Sequence, residues 1–149
     1  MTAATAQPRE CSVARTLEIV GEKWALLAVR EVFLGNRRFD EMARRTGAPR
    51  DTLAARLRSL VAAGILERRQ YRERPARHEY RLTEAGRDLY PVILTLTRWG
   101  DQHLAGDAGP PMAFEHACGH RLVPAVVCEA CGEPADTRTV RLAATTQHG

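Results

Sequence analysis

The stretch from residue 50 to residue 83, RDTLAARLRSLVAAGILERRQYRERPARHEYRLT, constrains the fold more than any other part of the chain. Its first half has Leu53, Leu57, Leu60 and Val61 at a spacing that places one apolar stripe along a helix. Gly64 follows the stripe and is suited to end the helix, because glycine readily adopts the left-handed conformation at that position. The first half is therefore predicted to be a helix that ends at a glycine.

The second half of the stretch predicts a β-hairpin. Ile65-Leu66 and Tyr80-Arg81-Leu82 are predicted strands joined through Arg72–His78, where Pro75 removes no hydrogen bond from the ladder. Residues 37–81 contain 13 Lys and Arg against 6 Asp and Glu, a balance of +7. A helix followed by a basic hairpin is the arrangement of a winged helix, and this charge is typical of a phosphate-binding face. A solvated basic surface without a ligand is the alternative.

The residues before this stretch predict further helices. Apolar residues recur through SVARTLEIVGEKWALLAVREVFLG, which indicates one or two helices interrupted near Gly21 and ended at Gly35, with Trp24 in the core. The next helix, FDEMARRTG, ends at Gly47. Together with the turn that follows and the helix from Arg50, it forms a helix-turn-helix.

The outer face of the second of these helices and the hairpin supply candidate DNA-binding residues. The major groove admits a helix whose outer side chains are small or basic. The candidates on the helix are Arg50, Thr52, Arg56 and Ser59, and those on the hairpin are Arg69, Arg72, Arg74, Arg77 and His78.

A last long helix is predicted from Thr83, its N-cap, to about Leu104, with a bend at Tyr90-Pro91. A helix this apolar at the end of a small domain needs a surface to bury it. We expect a homodimer formed by the N-terminal helix and residues 84–104 of two subunits, and a two-fold protein would bind a two-fold operator. Packing of the helix onto its own domain is the alternative.

The length and composition limit the class of protein. The 149 residues suffice for one domain, expected over residues 11–104, and a small appendage over residues 105–149. Residues 1–10 are expected to form a disordered leader. We find no apolar run that could span a membrane and no secretory signal, so a cytoplasmic protein is expected.

Residues 105–149 begin with a turn-rich linker and have a balance of −2, from 3 Lys and Arg against 5 Asp and Glu. Cys128-x-x-Cys131-Gly132 can direct two thiolates at one ion, Cys118 adds a third, and either His116 or His120 could complete the set. Four such donors suit structural Zn²⁺, and the sequence predicts a zinc-ribbon-like appendage. A closed four-ligand site leaves no position for a reacting water.

Two alternatives remain for these cysteines: a dithiol switch at Cys128 and Cys131, or three free thiols on a mobile tail. Three cysteines in a cytosolic chain argue against a structural disulfide. An enzyme would have to use the Cys-x-x-Cys pair as a redox centre, but no βαβ pattern surrounds it. We therefore predict no catalytic site and no organic cofactor. A zinc tail that binds another protein is a further alternative.

Three segments of the chain carry a further signal: CSVARTLEIVGEKWALLAVREVFLGNRRFDEM, LAARLRSLVAAGILERR and RHEYRLTEAGRDLYPVILTLTRWG. Over roughly residues 11–104 they resemble the HxlR-type winged-helix transcriptional regulators of bacteria, which are relatives of the MarR group. The resemblance implies a dimeric, sequence-specific DNA-binding regulator, which we interpret as a repressor. It implies residues 50–61 in the major groove and the wing around residues 72–78 on phosphates or in the minor groove. Where the family often has Ser and Lys at the start of the recognition helix, this chain has Pro49 and Asp51.

Several members of that family sense electrophiles or oxidants through a cysteine before the first helix, and Cys11 is at that place. Arg9, Arg15 or a helix N-terminus would favour its thiolate. The resemblance thus makes Cys11 a candidate redox-sensing residue, and a small buried residue without such a role is the alternative.

Overall fold

A computed structural model describes residues 10–143 of the chain. Its elements are α1 (Ser12–Val20), α2 (Lys23–Phe33), α3 (Phe39–Thr46), α4 (Arg50–Ala62), β1 (Leu66–Arg72), β2 (Arg77–Leu82), α5 (Glu84–Asp88) and α6 (Tyr90–His103), followed by a 3-10 turn at Gly106–Ala108. The chain divides into two compact units between Ile93 and Leu94, inside α6. The predicted leader lies outside the described residues except for its last position.

The core of the first unit is helical, because α2 packs against both α3 and α4. Leu53, Leu57 and Leu60 have no exposed surface, which confirms the stripe predicted for α4. Met42 of α3 and Val29 of α2 are equally buried. The core extends to the hairpin through Leu66, and the predicted core residue Trp24 lies at its edge, partly buried.

One buried carboxylate fixes the segment that leads from α2 to α3. Glu31 is 2% exposed, and its Oε1 accepts hydrogen bonds from Nε and Nη2 of Arg30 at 3.1 and 2.7 Å. Its Oε2 accepts one from Nδ2 of Asn36 at 2.6 Å. The buried charge is thus fully paired, as burial of an ion requires.

The three glycines predicted to end helices have positive φ, which is 91° at Gly35 after α2. Gly47, with φ 71°, follows α3, and its N–H donates to the carbonyl of Ala43 at 3.0 Å. The chain then reaches α4 within Ala48 and Pro49, which completes the predicted helix-turn-helix. Gly64, with φ 74°, follows α4 and leads directly into the hairpin.

The hairpin is an antiparallel pair whose strands are longer than predicted. The sequence placed residues 72–78 in the loop, whereas β1 extends to Arg72 and β2 begins at Arg77. In the added part of the ladder, Glu67 faces Arg81 and Arg69 faces Glu79. Salt bridges also join neighbours on the same strand, Arg69 to Glu67 at 3.1 Å and Arg81 to Glu79 at 2.7 Å. A prediction based on apolar residues overlooks strands that charged pairs stabilise.

The long helix expected from Thr83 to about Leu104 is divided at Leu89 into α5 and α6, next to the bend predicted at Tyr90-Pro91. Pro91 lies in the first turn of α6, where a residue without an N–H is tolerated. Thr83 is confirmed as the N-cap of α5, since its Oγ1 accepts a hydrogen bond from the N–H of Gly86 at 3.1 Å. None of the helices found between residues 10 and 143 is long and apolar enough to cross a membrane.

We predict that Gly86→Ala lowers the free energy of unfolding by about 1–3 kcal/mol, the usual cost of forcing extra atoms into a packed site. A Cβ at this position would lie 2.2 Å from the carbonyl oxygen of Ile65, which is backbone and cannot rotate away. Urea denaturation measures the change. The matched control is Gly100→Ala, because a Cβ there meets nothing within 4 Å and should stabilise α6 by at most about 1 kcal/mol. Equal effects of the two changes would contradict the packing at Gly86.

Candidate DNA-binding surface

The face of α4 opposite its buried leucines is open to solvent. Asp51, Arg58 and Ser59 are exposed, and Thr52 and Ala55 are half-buried. Small and flexible side chains of this kind allow a helix to enter the major groove. Arg58 was not among the sequence candidates, although its place three residues after Ala55 and seven after Asp51 puts it on the same face.

The two arginines predicted on α4 to bind DNA form ion pairs inside the first unit. Arg50 Nη2 lies 2.6 Å from Asp40 Oδ1, and the guanidinium is 4.8 Å from the centre of the Phe39 ring. Arg56 Nη1 lies 2.9 Å from Glu22 Oε1. The Nε of Arg56 is buried and has no hydrogen-bond partner among the described residues. Contact of either arginine with DNA stays a prediction, and it would require these pairs to open.

The pair with Arg50 changes the acidity of Asp40. The hydrogen bond from Arg50 and the charge of its guanidinium hold the pKa of Asp40 below its ordinary value of 3.8, and the charge of Arg77 adds to the effect. Asp40 therefore remains negative over the whole neutral range and keeps Arg50 beside the start of α3.

The unpaired positive charge of the hairpin is at its tip. Arg72, Arg74 and Arg77 are exposed and form no salt bridge within the described part of the chain, where Glu73 is the one acidic residue between them. Nearer the base of the hairpin, charges are already used: Arg69 Nη2 lies 3.1 Å from Glu67 Oε1, and Arg68 Nη2 lies 3.3 Å from His78 Nδ1. The three tip arginines are thus the ones available to phosphates.

Contacts between the hairpin and the segment before α3 position the tip relative to the helix-turn-helix. The N–H of Tyr80 donates to the carbonyl of Arg37 at 2.8 Å, and the Arg38 guanidinium lies 4.5 Å from the centre of the Tyr71 ring. A cleft of about 290 Å³ lies between them, lined by Arg38, Phe39, Asp40, Arg68, Tyr71, Ala76, Arg77, His78 and Tyr80. Helix and hairpin therefore form one basic surface.

Cys11, the candidate redox residue, is exposed and directly precedes α1. Of the arginines predicted to favour its thiolate, Arg15 pairs with Glu10 at 3.6 Å, and Arg9 lies outside the described residues. The sensing role of Cys11 stays a prediction.

The predicted zinc ligands lie in two turns of the second unit. His116, Cys118 and His120 are in the first turn, Cys128 and Cys131 in the second, and all are exposed. Hydrogen bonds from the backbone N–H groups of Cys131 and Ala130 lower the pKa of the Cys128 thiol. In the described region, His, Cys, Asp and Glu side chains do not form a group of three or more that could hold a metal ion, so zinc stays a prediction.

A helix-turn-helix followed by a basic two-stranded wing defines a DNA-binding class of transcriptional regulators, and comparison with known proteins agrees with it. The family model of HxlR-like helix-turn-helix proteins matches residues 19–108, and the chain belongs to this family. The uncharacterised HTH-type transcriptional regulator Rv3095 of Mycobacterium tuberculosis is 51% identical over 130 residues, which cover 87% of this chain and 82% of that protein. The protein is thus a transcriptional regulator of the helix-turn-helix type.

Solved structures show the same relationship. The candidate transcription factor PA1607 superposes with a TM-score of 0.80 at 32% identity, covering 90% of this chain and 94% of its own. The redox regulator HypR, in its oxidised form, has a TM-score of 0.55 at 35% identity and covers 62% of this chain and 97% of its own. The curated relatives are named as regulators and not as enzymes.

We predict that Arg50→Gln raises the pKa of Asp40 toward its ordinary value, measured by NMR titration of the carboxyl carbon. Because the pKa in the folded state is depressed, the pair stabilises the fold above the ordinary pKa and this contribution is lost as the pH falls through the lowered one. The control is Arg58→Gln, which removes the same charge from the exposed face of α4. An unchanged titration of Asp40 in Arg50→Gln would show that the pair does not form in solution.

Proposed function

We propose that this protein is a homodimeric repressor that binds operator DNA through α4 and the wing. The observation that supports the proposal is the group of exposed arginines at the wing tip, Arg72, Arg74 and Arg77, which form no salt bridge in the described chain. Guanidinium groups bind phosphate oxygens strongly and release counterions from DNA when they do so. Because these arginines lie beside a helix-turn-helix, their charge would be next to the phosphates of the DNA that α4 binds.

The exposed face of α4 is suited to read base edges. Arg58 can donate two hydrogen bonds to O6 and N7 of guanine, and Asp51 can accept one from N4 of cytosine. Asp51 and the preceding Pro49 occupy the start of the recognition helix, where the family often has Ser and Lys. We therefore propose that Arg58 and Asp51 select G·C pairs in the operator, with Thr52 and Ser59 beside them.

Dimerisation is supported by apolar side chains that remain exposed. Val13 and Leu17 of α1 are 64% and 54% exposed, and Leu96 and Trp99 of α6 are 53% and 57% exposed. Exposed apolar surface on two helices is unfavourable in a monomer and is typical of an interface. A second copy of the chain supplies the same surface, and the resulting two-fold symmetry suits two operator half-sites.

Repression requires only that a bound dimer occupies the promoter. A reporter gene placed behind the operator should therefore increase its expression when the regulator is deleted, and a decrease would indicate an activator.

We predict distinct effects of two arginine substitutions on DNA affinity, measured by fluorescence anisotropy over a series of salt concentrations with an operator found by in vitro selection. Arg74→Ala should weaken binding to operator and random DNA alike and lower the slope of log K against log salt by about 0.9, the value for one phosphate contact. Arg58→Ala should cost about 1–3 kcal/mol on the operator and little on random DNA, as expected for loss of a base contact.

The control for both is Arg138→Ala, which removes the same charge from an exposed arginine of the second unit that pairs with Asp136. It should leave affinity and salt slope unchanged. Wild-type binding by both Arg74→Ala and Arg58→Ala would show that this surface does not bind DNA.

We predict that Leu17→Asp and Leu96→Asp each convert the protein to a monomer in light scattering coupled to gel filtration, because a buried unpaired carboxylate is strongly unfavourable in an apolar interface. Leu142→Asp is the matched control, since Leu142 is 86% exposed and lies outside both helices. A wild-type protein that is monomeric at micromolar concentration would contradict the proposal of a homodimer.

A further inference from the structure

The first turn of the second unit has a defined backbone frame. The N–H of His116 donates to the carbonyl of His120 at 2.9 Å, and the N–H of Gly119 donates to the carbonyl of His116 at 2.8 Å. Below the turn, the N–H of Leu122 donates to the carbonyl of Phe114 at 2.7 Å. Three hydrogen bonds therefore close a short hairpin with His116 at its first corner.

The second turn repeats this frame. The N–H of Cys128 donates to the carbonyl of Glu133 at 2.8 Å, and the N–H of Gly132 donates to the carbonyl of Cys128 at 2.7 Å. The N–H of Ala135 donates to the carbonyl of Val126 at 3.0 Å. Each of these bonds has a counterpart in the first turn. The residues before each turn match when they are counted from the first corner, and the residues after it match when they are counted from the glycine.

The frame assigns equivalent positions in the two turns. His116 corresponds to Cys128, and Cys118 corresponds to Cys131, because each of these cysteines directly precedes the glycine of its turn. The two glycines, Gly119 and Gly132, have φ of 84° and 75°, a conformation that glycine adopts without strain. The first turn is one residue shorter between its corner and its cysteine. His120 lies after the glycine and corresponds to Glu133. It is therefore not at either of the two equivalent positions, which are the first corner and the cysteine before the glycine.

The first turn contains one further hydrogen bond, in which the N–H of Cys118 donates to Nδ1 of His116 at 3.3 Å. Because a neutral imidazole has a single free lone pair, His116 must release this bond when the ring binds a metal ion.

We propose that His116, Cys118, Cys128 and Cys131 bind one structural Zn²⁺ and that His120 is not a ligand. Three thiolates and one imidazole are a donor set that Zn²⁺ accepts in closed tetrahedral sites.

The described side chains do not already form a group of three or more ligands, so binding requires the two turns to contribute to one ion. All four side chains are exposed, and their rotation disrupts no packed core. The energy of such a site would stabilise the second unit, which has few large buried side chains of its own. The proposal is independent of DNA binding, because its ligands lie outside the basic surface.

The test uses the full-length protein, purified without an affinity tag that binds metal and without added zinc. Elemental analysis should find about one zinc per chain in the wild type and in His120→Ala, which is the matched control. Cys128→Ser and His116→Ala should lose the metal, or their affinity for it should fall by over 100-fold in competition with a chelator. This loss exceeds the roughly 10–100-fold cost of removing a residue that only hydrogen-bonds to a ligand.

Cobalt substitution separates loss of a ligand from loss of folding. Co²⁺ in the wild type should show the absorption of a tetrahedral site with thiolate charge-transfer bands. His116→Cys should retain the metal and strengthen those bands by about one third, since a fourth thiolate joins three, whereas His120→Cys should leave the spectrum unchanged.

Three results would overturn the proposal. The first is a wild-type protein that binds neither zinc nor cobalt after reduction. The second is loss of metal in His120→Ala with retention in His116→Ala, which would assign the other histidine. The third is a Cys128–Cys131 disulfide that forms and is reduced reversibly in a protein without metal, which would make the pair a dithiol switch.

Discussion

Burial of Leu53, Leu57 and Leu60 is the constraint on which the surface of the first unit depends. Because these three side chains face the core, the rotation of α4 about its axis is fixed, and Asp51, Arg58 and Ser59 face outward. Another rotation would turn different side chains toward solvent. The identity of the residues available to DNA is thus decided by apolar packing on the opposite side of the helix.

The hairpin depends on the same core, because Leu66 at its base is buried and Tyr80 is hydrogen-bonded to the segment before α3. Its outer half contacts the body of the unit where the Tyr71 ring meets Arg38, and otherwise consists mainly of charged side chains along the strands and arginines at the tip. This division lets the base set the direction of the wing while the tip side chains adapt to phosphates. Binding groups on a rigid support lose less conformational entropy when they meet their target.

Helix positions could be predicted from the sequence because their causes are local. Apolar spacing and the glycines at positions 47 and 64 predict the ends of α3 and α4 to within a few residues of the observed ends. The pairing of Arg56 with Glu22 could not be predicted from the sequence, since it joins positions 34 apart and depends on how α4 packs against the start of α2. The strand lengths, and the proposed preference for His116 over His120, likewise depend on backbone hydrogen bonds, which residue types at given spacings do not reveal.

The arginines of the wing have a second consequence, which concerns association between molecules. In a two-stranded sheet each strand has an outer edge, and unpaired strand edges add readily to one another in crowded solution. Charged side chains along β1 and β2 oppose such stacking, because two wings that approach edge to edge bring like charges together. The basic wing would therefore protect the protein from aggregation whenever DNA does not cover it.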